Sequence, residues 1–310
     1  MDAYFDIPIL FMTFNRPAET RAVLEVIKAV RPMSLFISSD GPRAGRADDV
    51  QSVEEVRSVL TEIDWDCEVK TLFHEANIGC KRAGINAISW FFEQVEYGII
   101  LEDDCLPSKS FFYYCKEVLE RYRDDNRVVH INGNNFDTRQ HMPSDYSYHF
   151  TYFPQVWGWA TWRRAWKRFD ESMSPFDAFD DYLYFKHAGL SERDYANIRR
   201  KWHNAKFRDF EVWDYQWHFI NLLEGGLVVS PLKNLISNVG FGEKATHTAD
   251  SYSLKQNLAR NELEFPLKHP PCLFVDEKLN QHYINMMVTE PVTFKLKRKL
   301  REYRSKIAGM

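Results

Sequence analysis

Apolar positions along the first 135 residues alternate between two periods. Ile7 to Phe14 is an apolar run of strand length. Pro17 then suits a helical first turn, and Val23, Val26, Ile27 and Val30 follow at helical spacing. Met33 to Ser39 predicts a second strand, ended by the turn residues Asp40-Gly41-Pro42. Residues 48–62 predict a helix with Val53, Val56 and Leu60 on one face, and Cys67 to Phe73 a third strand. Residues 80–96 predict a helix facing the core with Ile85, Ile88, Phe92 and Val95. Tyr97 to Leu101 reads as a central strand. A helix opening at Pro107-Ser108 carries Phe111, Cys115, Val118 and Tyr122, and Arg127 to Ile131 is a fifth strand.

Such alternation predicts an α/β fold, a mostly parallel sheet covered by helices on both faces. Ligands of these sheets lie outside the carboxyl ends of the strands. Four segments should therefore share one rim: Thr13-Phe14-Asn15-Arg16, Ser39-Asp40-Gly41, His74 to Gly79, and Glu102-Asp103-Asp104.

The pattern changes near residue 136. Residues 136–156 are polar and aromatic without a period, Trp157-Gly158-Trp159-Ala160-Thr161-Trp162 follows, and helical spacing then runs to about 224. Trp162 and Trp166, four apart, read as core on one helix face. No linker or repeat is visible. The expected organisation is a sheet-forming half over 1–135, a second half over 136–290 packed on the same sheet, and a C-terminal helix over 291–310.

Composition narrows the classes. With 45% apolar and 15% aromatic residues, the 310-residue chain can bury a substantial core. A net charge of −4 argues against a nucleic-acid partner. Five cysteines without a CxxC pair argue against a structural zinc site or a disulfide framework. The N-terminal residues show no secretory signal, and no apolar run reaches the roughly 18 residues of a membrane span. These features predict a cytoplasmic protein.

Three adjacent acids after an apolar strand repel one another, and a divalent cation relieves that repulsion. Mg²⁺ and Mn²⁺ prefer oxygen ligands and leave positions open for phosphate oxygens. Glu102-Asp103-Asp104 could thus hold a cation that grips a diphosphate; a solvated acidic turn is the plainer reading. Asp214, in Trp213-Asp214-Tyr215-Gln216-Trp217, is the candidate general base, with Glu211 and Asp209 as nearby alternatives. An unperturbed Asp, with a pKa of about 3.9, is ionised at neutral pH. The same residue could be a helix N-cap.

Taken together, the Thr-Phe-Asn-Arg-Pro turn, Ser39-Asp40-Gly41, Asn77-Ile78-Gly79 and Glu102-Asp103-Asp104 resemble the glycosyltransferase A fold, which is Rossmann-like. The similarity is to family 2-like transferases and to Golgi N-acetylglucosaminyltransferases, whose metal motif is Glu-Asp-Asp. The resemblance covers residues 7–135 and is weaker beyond. It implies that Thr13, Asn15, Arg16 and Asp40 hold the base and ribose of a nucleotide-sugar, with Lys81 or Arg82 near the base or phosphates. It further implies that Asp103 contacts the ribose, Asp104 binds Mn²⁺ or Mg²⁺, and Glu102 supports the metal's water or the donor sugar. Asp214 would face the acceptor, Trp157 or Trp159 would stack on a sugar, and His247 would reach the metal or diphosphate. Core packing is the plainer reading of Trp157 and Trp159, and a surface position that of His247.

The expected function is therefore a metal-dependent, inverting glycosyltransferase. It would use a nucleoside-diphosphate sugar such as a UDP-sugar and a glycan or lipid-linked acceptor. Its halves would serve nucleotide-sugar binding (1–135) and acceptor binding (136–290). Two alternatives are a sugar nucleotidyltransferase, which would need a glycine-rich loop after the first strand, and a non-catalytic nucleotide-sugar-binding protein. Finally, Leu296, Leu300, Tyr303 and Ile307 share a helical face in an otherwise basic segment, 294–307. That pattern suits an anionic membrane surface, placing the protein peripherally on a membrane's inner face.

Overall fold

The computed structural model describes residues 4–136, 145–208, 211–240 and 258–288. The first half follows the expected alternation: β1 (Ile9–Thr13), α1 (Pro17–Lys28), β2 (Ser34–Ser39), α2 (Ala47–Val59), β3 (Glu68–Phe73), α3 (Cys80–Gln94), β4 (Tyr97–Glu102). A short β5 (Cys105–Pro107), α4 (Lys109–Arg121) and β6 (Val128–Asn132) complete it. The second half supplies β7 (Tyr148–Thr151), β8 (Trp159–Trp162), α5 (Arg163–Trp166), α6 (Tyr182–Phe185), α7 (Glu192–Phe207), α8 (Asp214–Leu223), β9 (Leu227–Pro231), β10 (Ile236–Asn238) and α9 (Glu277–Met287).

Eight strands form one sheet in the order β3-β2-β1-β4-β8-β6-β9-β7. β3, β2, β1 and β4 are parallel, β8 runs against β4 and β6, β9 runs with β6, and β7 runs against β9. The result is the expected Rossmann-like, mostly parallel mixed sheet. Alternation along the strands sends residues to opposite faces. Ile9, Phe11, Leu35 and Ile37 pack with Val23 and Ile27 of α1, Val56 of α2 and Phe111 and Val118 of α4. Leu10, Phe36 and Ile100 pack on the other face with Ile88 and Phe91 of α3, Trp217 of α8 and Trp213 just before it. A separate apolar cluster joins Phe185, Trp202, Phe219 and Tyr283 in the second half.

Trp157 to Trp162 corrects one expectation. Trp162 and Trp166 are buried, but Trp162 ends a strand rather than sharing a helix face with Trp166. That strand, β8, is inserted antiparallel between β4 and β6, with Ile100 opposite Trp159. Its four residues are all buried, so no polar alternation marks them in sequence. Among the described residues, no helix is long and apolar enough to cross a membrane.

Candidate active site

Strand register brings the first-half segments together. Met12 lies opposite Ser38 and Glu102, and Thr13 opposite Ser39, which in turn pairs with Phe73. Four loops therefore leave the sheet at one level. A cavity of about 330 Å³ opens there, within the usual range for small-molecule sites. Thr13, Asn15, Arg16, Asp40, Glu102, Asp103 and Asp104 all line it. From the second half come Trp157, Glu211, Trp213, Asp214 and Asn238.

The acidic trio is held from several sides. Asp103 accepts from the Phe14 N–H at 2.9 Å and from Arg16 Nη1 at 3.3 Å. Asp104 accepts from Arg16 at 2.5 Å through one oxygen, and from the Cys105 thiol and Asn238 amide through the other. Its backbone oxygen accepts from Val239 N–H at 2.8 Å. β10 thus backs the cluster, pairing with β5 so that Asn238 stands opposite Cys105. Gly240 follows after Val239. A Cβ there would sit 2.1 Å from Asp104 Oδ2, so only glycine lets this segment pass behind the carboxylate.

Three acids meet one guanidinium, and the imbalance shows in their ionisation. Desolvation, then the charges of Asp104, Asp103 and Asp214, push Glu102 well above the usual carboxylate range, against the pull of Arg16. Asp103 is pushed up to about 7 by desolvation and by Asp104, despite Arg16 and the Phe14 N–H. Arg16 is partly desolvated, but Asp103 and Asp104 outweigh that and hold it charged. The Cys80 thiol, desolvated in the cleft and facing Glu102, Asp214 and Glu211, is pushed up to about 12 and stays protonated. One guanidinium leaves the cluster short of positive charge, and its donor set fits a hard divalent cation. Ligand atoms of Glu102, Asp104 and Cys105 lie within 4.8 Å of one another, and the two carboxylates offer the oxygens such a cation prefers. Burial and the acids push the Cys105 thiol well up, so its sulfur is a poor ligand there.

Other expected residues divide by placement. Asp40 accepts from the Gly41 and Ile78 N–H groups and from the Asn77 amide. Three of its roughly four acceptor positions are therefore committed to fixing the turn before α3, and about one remains for a ligand. That turn ends at Gly79, whose φ of +86° favours glycine, and a Cβ there would meet the Glu211 carboxylate at 3.6 Å. Asn15 donates to Asp49, which Arg43 also grips at 2.5 Å. The Thr13 hydroxyl donates to Ser38 O. Lys81 does not line the cavity; its ammonium pairs with Glu171 at 3.3 Å.

Trp159 is fully buried and stacks on His130 at 4.8 Å, so it packs the core and offers no face to a sugar. Trp157 is half-buried on the cavity wall, edge-on to Phe136. Asp214 is the first residue of α8, not its cap: Trp213 holds that position and no side chain caps the helix. The N-cap reading is thereby corrected, and the carboxylate stays in the cavity wall, near enough to Glu102 and Cys80 to raise both. His247 and Asp209 lie outside the described residues, as does segment 294–307.

Sequence reasoning missed Arg43, Asp49, Asn238 and Gly240. Arg43 and Asp49 had a usable signal, opposite charges six apart around a turn. Asn238 and Gly240 had none, because only the pairing of β10 with β5 carries them to Asp104.

No family model matches the chain, and no curated protein matches it. Among solved structures, the chain is remotely similar to the inositol-1-phosphate CTP transferase of T. maritima. Identity there is 7%, over 73% of this chain and 85% of that one, at a TM-score of 0.38. For the 4-diphosphocytidyl-2C-methyl-D-erythritol synthase of Anaerococcus prevotii, identity is 10% over 73% and 87%, at a TM-score of 0.34. For HddC of Yersinia pseudotuberculosis it is 9% over 51% and 77%, at a TM-score of 0.30. Likenesses this remote carry no conclusion about the chain, whose fold rests on its own strand order and register.

Proposed function

We propose that the protein is a metal-dependent glycosyltransferase. It would move a sugar from a nucleoside-diphosphate donor, with UDP-sugars the first to test, to a hydroxyl of a glycan or lipid-linked acceptor. The observation that carries this reading is the shared cavity: an acidic trio from β4 and a separate carboxylate, Asp214, from α8 line the same cleft.

The roles follow from position. Thr13, Asn15 and Asp40 would receive the nucleoside. Glu102 and Asp104 would hold Mn²⁺ or Mg²⁺, which when bound supplies Lewis-acid neutralisation of the leaving diphosphate. Arg16 would turn part of its charge to the same phosphates, since its guanidinium already lies in the cleft against Asp103 and Asp104. Trp157 would present a ring face to a sugar. Asp214 would accept the acceptor hydroxyl's proton as that oxygen bonds the anomeric carbon and the bond to the diphosphate oxygen breaks. Attack from the side opposite the leaving group gives inversion.

The loop after β1 counts against nucleotidyl transfer. It contains no glycine, and its Phe14 N–H is committed to Asp103 rather than open to a triphosphate. One assay separates the two activities: nucleoside diphosphate released from a nucleotide-sugar panel, against pyrophosphate released from nucleoside triphosphates with sugar phosphates. Wild-type protein is expected to release only nucleoside diphosphate. Asp214→Asn should bind donor normally but transfer at least about 100-fold more slowly, the usual worth of a general base. Full activity in that variant would move the base to Glu211, and pyrophosphate release would replace the reading altogether.

A further inference from the structure

Arg16 is anchored by the chain on either side of it. Pro17 keeps its backbone out of the helical region, at φ −122° and ψ 77°, and its carbonyl accepts the Thr20 N–H at 2.9 Å as α1 begins. Before it, the Phe14 N–H is fixed to Asp103 and the Asn15 amide to Asp49. The loop backbone is thus held, and the Arg16 side chain is the part of it with room to turn.

That side chain uses its nitrogens unevenly. Nη1 alone serves both acids, donating to Asp104 Oδ2 at 2.5 Å and to Asp103 Oδ1 at 3.3 Å. Among the described residues, Nε and Nη2 of Arg16 make no hydrogen bond, although the guanidinium has five donors and lines the cavity. In Arg43 the same two nitrogens form a fork that grips the Asp49 carboxylate. Arg43 is therefore committed, and Lys81 pairs with Glu171 outside the cavity.

Asp104 has little to offer a cation while the Arg16 contact lasts. Its Oδ1 accepts from the Asn238 amide at 3.3 Å and from the Cys105 thiol at 3.4 Å. Its Oδ2 holds Arg16, with Gly240 so near that a Cβ there would lie 2.1 Å away. A divalent cation on Oδ2 would share that oxygen with a guanidinium, and like charges so close repel strongly away from bulk water. A diphosphate alters the balance, because the idle Nε and Nη2 of Arg16 match two phosphate oxygens.

We propose that Arg16 couples metal to nucleotide: its guanidinium guards Asp104 against a lone cation and gives way when a diphosphate engages Nε and Nη2. Arg16 acts here through Asp104, as a positioning residue that sets when the cation loads. The coupling rests on the reading of the cleft as a site for a nucleoside diphosphate and a metal.

Electron paramagnetic resonance of unbound Mn²⁺ tests it on the intact protein, with and without UDP, GDP, CDP, ADP or dTDP, against protein-free mixtures of each nucleotide with Mn²⁺. Bonds from metal to phosphate produce some cooperation by themselves, so the deciding quantity is the affinity for Mn²⁺ without nucleotide. Arg16→Met should bind Mn²⁺ alone roughly tenfold more tightly than wild type, within the usual range of coupling between two ligands. Arg16→Lys, which keeps the charge, should stay close to wild type. Damage to the fold would lower the affinity, not raise it, and Arg16→Gln repeats the test should Arg16→Met not fold. Affinity for Mn²⁺ alone that is unchanged or weaker in the neutral variants would overturn the coupling, as would wild type binding Mn²⁺ equally well with and without nucleotide. If Asp104→Ala still removes the binding in those cases, the metal site stands without the coupling. Uptake of Mn²⁺ indifferent to Asp104→Ala would remove the reading of the cleft itself, and the coupling with it.

Discussion

His130 sits beneath Trp159 with both nitrogens satisfied, and burial pushes its pKa down to about 3. In the unfolded chain it titrates near 6.5. Between those values only the unfolded state takes the proton, so stability present above about pH 6.5 drains as pH falls, by about 1.4 kcal/mol per pH unit for this one group. Asp103 acts oppositely: held near 7 in the fold, it keeps a proton that the unfolded chain has released, and so offsets part of the loss. The clean measurement is a difference. Urea unfolding of His130→Gln should start from lower stability at pH 7 but decline less steeply between pH 6.5 and 4, by about 1.4 kcal/mol per unit. Parallel declines would mean that His130 is charged inside the fold. None of this is visible in sequence, where His130 is an unremarked member of an apolar strand. The reach of Asp40 shows the same limit, because the carboxylate expected to hold a nucleoside already accepts from Gly41, Asn77 and Ile78.

At the scale of elements, Trp157 and Trp159 have identical sequence credentials and opposite placements. Trp159 belongs to β8, and a strand's alternation turns it into the layer with Trp166, Trp213 and Trp217. Trp159→Ala should therefore cost about 3–5 kcal/mol, read as a large fall in melting temperature. Trp157→Ala should melt within a few degrees of wild type and lose sugar transfer instead. The reverse pattern would exchange their roles. The first-half elements were legible because each carries a clear period: 2 for strands between turn residues, 3.6 for helices whose apolar face meets the sheet. β8, β9 and β7 were not. They are short and buried, and their order in the sheet is decided by pairing across distances that periodicity does not record. The rim of the site could be read from strand ends alone, whereas its back wall, Asn238 to Gly240, depends on β10 finding β5.

For the whole molecule, charge is unevenly distributed: the net value of −4 coexists with seven basic residues in segment 294–307. Each would contribute about 1 kcal/mol at an acidic leaflet, which is the basis for proposing a peripheral membrane position near a lipid-linked acceptor. Deleting residues 294–310 should abolish flotation with anionic liposomes and leave flotation with neutral ones at background; unchanged flotation would remove the membrane from the account. The central claim concerns the cleft, where carboxylates outnumber the cations that face them. Calorimetric titration of UDP, GDP, CDP, ADP and dTDP, with and without Mn²⁺, into wild-type protein and Asp104→Ala tests it most directly. One nucleoside diphosphate should bind wild type at least about tenfold more tightly with Mn²⁺, and Asp104→Ala should abolish that gain while remaining folded. Binding that is the same with and without the metal, and the same in Asp104→Ala, would contradict it.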